Sequence, residues 1–168
     1  MIYEELWTDE LLDEPYAAEL KEKIEDTIER KDLDQLTEII RNIEIAVGED
    51  IIEEGPLGVV YDIQDAIGET QTCREFVKLF KKHGLKSQAF AQAADFNELY
   101  EILLSSSDDT RDFDRFTKAL LEFLFDHPDE SMLSSEHKDL FAKALLTFID
   151  NECGAHVFED IFEGNIEE

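Results

Sequence analysis

The chain has 168 residues, a length that suits one domain able to bury a core without a metal or disulfide staple. Forty-three acidic against 15 basic residues give a formal charge of −28, a field that repels nucleic acid and anionic lipid and attracts cationic proteins. The hydrophobic share of 43% is that of a globular chain, and no stretch reaches the roughly 18 apolar residues of a membrane span.

Three prolines and seven glycines favour long helices over many short strands. Residues 2–13 set Ile2, Leu6, Trp7 and Leu11 on one side and predict a short end helix docked by its tryptophan. The opening Met-Ile-Tyr-Glu-Glu lacks the basic and apolar regions of a signal peptide, so a cytoplasmic location is expected. Pro15 starts a helix whose apolar face, Ala17, Leu20, Ile24 and Ile28, runs to Arg30. Asp32 and Gln35 have the spacing of a capping box. Leu33, Leu36, Ile40, Ile43 and Val47 follow at helical steps, and Gly48 stops them. Residues 48–58 read as an irregular acidic turn closed by Gly55-Pro56-Leu57-Gly58, without the lysine of a phosphate-binding loop. Val60, Ile63 and Ile67 predict a short helix ended by Gly68.

Thr72 and Glu75 read as the capping box of a helix that carries Cys73, Phe76, Val77 and Phe80 to Gly84. In this helix and just beyond it, Arg74, Lys78, Lys81, Lys82 and Lys86 oppose only Glu75, so an electrostatic tie to the acidic flanks is expected. A small-residue helix follows around Phe90, then one capped by Asp95 and Glu98 with Phe96, Leu99, Ile102 and Leu103 inside. Ser105 to Asp109 read as a loop. Phe116, Lys118, Ala119, Leu120, Leu121 and Phe123 then recur 25 positions later as Phe141, Lys143, Ala144, Leu145, Leu146 and Phe148. Pro128 lies between the copies, so the simplest geometry is a helical hairpin with both apolar faces on one core. Gly154 precedes a last helix bearing Val157, Phe158, Ile161 and Phe162, and residues 164–168 form a fraying tail. The expected fold is all-α: a single compact domain over 1–168, about eight or nine helices, with the C-terminal hairpin at its centre.

Reactive motifs are sparse. Cys73 and Cys153 lie on apolar helix faces and predict free, buried thiols in a reducing compartment. Asp126-His127-Pro128-Asp129 with Glu136-x-Lys138 has the order of a nuclease metal motif, but on helix ends rather than strands, where a loop and a cap account for it better. Glu152, Cys153 and His156 fall short of a complete metal set. Asp108, Asp109, Asp112 and Asp114 lack the glycine and glutamate of a calcium loop and suit a helix start. No catalytic residue, cofactor or metal is expected, and the chain reads as a binding protein rather than an enzyme.

In size, acidity and helical character over its whole length the chain resembles the bacterial immunity proteins that neutralise nuclease toxins. The resemblance implies a basic protein partner whose active site is masked, with charge speeding encounter and a few buried anchors holding the complex. From the residues themselves, the acids concentrated on an irregular segment, Glu49, Asp50, Glu53, Glu54, Asp62 and Asp65, are the candidate partner face. Two other binding functions stand beside this one: a nucleic-acid mimic, which needs a long double row of carboxylates, and a helical adaptor, which needs an apolar peptide groove.

Overall fold

The computed structural model describes residues 13–48, 60–85, 88–106, 110–127 and 133–164. Of these, 82% are helical and none forms a strand, so the all-α class is met. The α-helices are α1 (Ala17–Arg30), α2 (Leu33–Val47), α3 (Val60–Ile67), α4 (Glu69–Lys82), α5 (Phe96–Ser106), α6 (Thr110–Phe125), α7 (Lys138–Glu152) and α8 (Phe158–Glu163). Short 3-10 helices cover Gln88–Gln92 and Ala155–Val157. The chain divides into two compact units: residues 1–58 with 132–168 (unit 1), and residues 59–131 (unit 2). The end helix expected over 2–13 falls almost wholly outside the described residues.

Unit 1 is organised on α1, which packs most extensively on α7 and also on α8 and α2. Its buried residues, Ala17, Leu20, Ile24, Thr27 and Ile28, recur every three or four positions and form one face. Helix α1 ends at Lys31, a left-handed residue whose N–H donates to the Ile28 carbonyl. Only half of the Asp32 capping box forms. The Asp32 carboxylate accepts from the Gln35 N–H at 3.1 Å, but the Gln35 side chain accepts from Arg30 instead of turning back. Gly48 closes α2 with φ 74°, as its position predicts. Helix α7 is buried from Phe141 to Ile149 with Lys143 alone half-buried, the pattern of a central helix.

Unit 2 is organised on α4, which packs on α6, α3, α5 and the first 3-10 helix. Its core is a cluster of rings. Phe76 stacks on Phe123 at 4.3 Å between centroids and lies 5.1 Å from Phe96, while Phe80 lies 5.1 Å from Phe116 and 4.9 Å from Phe90. Each buried phenylalanine stabilises by about 1.5–3 kcal/mol through transfer alone, so this cluster outweighs any surface pair in the unit. Helix α4 starts one turn earlier than Thr72 and Glu75 suggest. Gly68 is its N-cap, and the buried Thr72 hydroxyl donates to the Gly68 carbonyl from inside the helix. The Asp95–Glu98 cap does form: the Glu98 N–H donates to Asp95 at 2.9 Å, and the Ala94 N–H donates to Glu98. Helix α5 continues through Ser105 and Ser106, which the sequence reading placed in a loop.

The two copies of the repeat are both helical, as α6 and α7, but they belong to different units. The faces expected on one core are therefore each used locally. Phe116 and Phe123 of α6 meet the phenylalanines of α4, and Phe141 and Leu145 of α7 are buried in unit 1, where α1 is the chief partner.

Candidate protein-binding surfaces

The first surface lies at the start of α1 in unit 1. Glu19, Glu22, Asp26 and Glu29 recur at steps of three, four and three, all exposed, on the side of α1 opposite its buried face. Helix α8 reaches the same end of α1. Tyr16 lies 5.9 Å from Phe162, ring to ring; the Lys23 ammonium donates to the Phe162 carbonyl at 2.7 Å and sits over its ring. Phe158 and Ile161 of α8 are buried, which turns Glu159, Asp160 and Glu163 outward. Tyr16 itself is half-buried and left-handed, with φ 67°. Its phenol is held above the ordinary value by the charge of Glu159 first, then by burial and by the charges of Glu163 and Glu19.

Unit 1 has 28 acidic and seven basic residues, a net −21. Four of its cations are drawn into ion pairs with acids other than those beside Tyr16. Lys21 bridges Glu25 and Asp139, Lys143 also holds Asp139, Lys138 pairs with Glu29 at 2.6 Å, and Arg30 joins Asp26 and Asp32. Burial works against charge on Asp139, yet its hydrogen bonds to Lys21 and Lys143 outweigh burial and depress its pKa. Glu19, Glu22 and Asp160 make no ion pair among the described residues, so these three carboxylates carry an uncompensated field.

The second surface is a trough in unit 2 between α4 and the 3-10 helix Gln88–Gln92. It consists of two hollows of about 780 and 450 Å³ that share Val77 and Ala91. Cys73, Phe80, Leu85 and Phe90 are buried beneath it. Gln88, Gln92, Ala93 and Ala94 line it from beyond α4, and Glu69 and Thr70 close the end near the α4 N-terminus. Arg74, Lys78 and Lys81 line it from α4, are exposed, and have no ion-pair partner among the described residues. Among the described residues the expected tie between this basic helix and acidic residues is made at its end: Lys82 pairs with Glu122 at 3.0 Å, and His83 meets the same carboxylate. Burial, with Asp95, Glu98 and Glu69, raises the Cys73 thiol above its ordinary pKa; burial, with Glu152 and Asp150, does the same for Cys153. Both thiols are free and poor nucleophiles.

Of the six acids singled out in sequence, Asp62 and Asp65 are exposed on α3 in unit 2, one turn apart. Glu49, Asp50, Glu53 and Glu54 lie outside the described residues. Residues of the nuclease-like motif serve local roles: His127 contacts Glu75 at 3.1 Å in unit 2, and Lys138 holds Glu29 in unit 1. Among the described residues no group of three or more His, Cys, Asp or Glu side chains is placed to hold a metal ion. No described helix is long and apolar enough to cross a membrane. No family model, curated protein or solved structure matches the chain. The acidic stripe of α1 could be read from its spacing, but its union with α8 around Tyr16 is a tertiary fact with no local signal.

Proposed function

We propose that this chain is a protein-binding module whose acidic surface around Tyr16 docks on a basic protein and masks it. The observation that carries this reading is the set of exposed carboxylates, Glu19, Glu22, Glu159 and Asp160, without an ion pair among the described residues while Lys21, Lys138 and Lys143 pair with other acids. Such a field speeds encounter and makes it salt-sensitive. Tyr16, half-buried among these acids, supplies the kind of aromatic anchor on which binding energy concentrates. A toxin nuclease is the partner class to test first, because its active site is built to hold a polyanion and because the chain resembles immunity proteins in size, acidity and helical character.

The test uses the full chain as bait for a lysate of its host, beside a Glu19→Lys/Glu22→Lys/Glu159→Lys bait. The expected result is a basic protein retained by the wild type and lost by the variant, with any nuclease activity of that protein blocked by the wild type. Equal retention on both baits would remove this surface from the function.

A further inference from the structure

We infer that the trough on α4 is a second protein-binding site, one that receives an acidic amphipathic helix from a partner protein. The site lies on unit 2, shares no residue with the acidic surface around Tyr16, and is opposite in sign. Three features point to this occupant. The two hollows run along α4 and share Val77 and Ala91, so their apolar lining is continuous. Arg74, Lys78 and Lys81 edge them at positions i, i+4 and i+7, a row about 10 Å long on one helix face. These three cations are exposed and unpaired among the described residues of a chain with 43 acids, whereas Lys82, one position on, has its carboxylate.

A chain of charge −28 has carboxylates in abundance, so a row of unsatisfied cations beside an apolar trough is not explained by folding. A helix carrying apolar residues at three- and four-residue steps fills the hollows, and carboxylates flanking that stripe at the same recurrence meet the three cations. Nucleic acid fits less well. The rings beneath the trough, Phe80 and Phe90, are buried and offer no stacking platform. The contacts that hold the site in place are those of the core: Phe80 packs on both Phe90 and Phe116, which fixes the 3-10 helix beside α4.

The experiment is a selection of random displayed peptides on the full-length protein, followed by binding of the winners to defined variants. The inference expects winners with carboxylates recurring at helical spacing beside apolar residues. Their affinity should fall about tenfold or more on Arg74→Glu/Lys78→Glu/Lys81→Glu, in which only exposed side chains change. It should also fall on Ala91→Trp, which fills the junction of the hollows, and stay unchanged on Glu19→Lys/Glu22→Lys/Glu159→Lys. Circular dichroism checks that each variant is folded; if the triple reversal is not, the corresponding glutamine variant is read at low salt. An empty selection, winners that are basic or uncharged, or equal affinity for the reversed variant would each overturn the inference. Displacement of the winners by a single-stranded oligonucleotide would overturn it in favour of nucleic acid.

Discussion

Phe123→Ala tests the ring cluster that organises unit 2. Phe123 is 1% exposed, stacks on Phe76 at 4.3 Å and lies 4.5 Å from the His127 ring. Truncation removes the whole ring from a site whose stacked neighbour, Phe76, is itself fully buried and cannot collapse freely. The expected loss is about 3–5 kcal/mol, of which the stacked pair accounts for about 0.5–1.5 kcal/mol. Phe123→Leu keeps most of the apolar volume and should cost about 1–2 kcal/mol. With two compact units in one chain, a single two-state melt is not assumed. Amide hydrogen exchange is therefore the assay, read on α4 and α6 as opening free energy and checked by urea unfolding. A loss below about 1 kcal/mol in both helices for the alanine variant would refute the ring cluster as the centre of unit 2.

Four further outcomes follow from the packing and the ion pairs. Leu145→Ala, at a fully buried position of α7, should cost about 2–5 kcal/mol, with exchange rising in unit 1. Thr147→Val removes a buried hydroxyl that has no hydrogen-bond partner among the described residues; urea melts should show no loss or a gain of up to about 1 kcal/mol. Asp139→Asn should destabilise by about 1 kcal/mol at neutral pH, because Lys21 and Lys143 lower the Asp139 pKa. A lowered carboxyl contributes above the ordinary carboxylate range and stops contributing as pH falls through its folded value, so melts in strong acid should bring variant and wild type together. Lys78→Gln and Lys81→Gln should leave melting unchanged at low salt, whereas Lys82→Gln should lower it slightly through loss of Glu122, with the difference shrinking as salt rises.

The helices were legible wherever one face alternates at three- and four-residue steps, as in α1 and α2, because periodicity and burial are the same fact seen twice. Caps were legible only in part. Asp95 and Glu98 form theirs, while Thr72 has the same sequence signature but turns its hydroxyl back to the Gly68 carbonyl inside a helix already begun. The repeat showed that α6 and α7 have similar faces, yet the choice of neighbour is made by shape: α4 offers rings to the rings of α6. The basic helix stood out by composition, but which of its cations are paired depends on Glu122, forty residues away from Lys82. The carboxylates around Tyr16 were hidden for the same reason, since α1 and α8 are separated by most of the chain.

The central claim, that the surface around Tyr16 receives a basic protein, is tested most directly by association rates. The captured partner is mixed with wild type and with Glu19→Lys/Glu22→Lys/Glu159→Lys at low and at high salt, with Asp62→Lys/Asp65→Lys as the comparison on unit 2. Association should be slowed about tenfold or more at low salt for the first variant only, converging with wild type at high salt. Equal rates for wild type and that variant at both salts would contradict it.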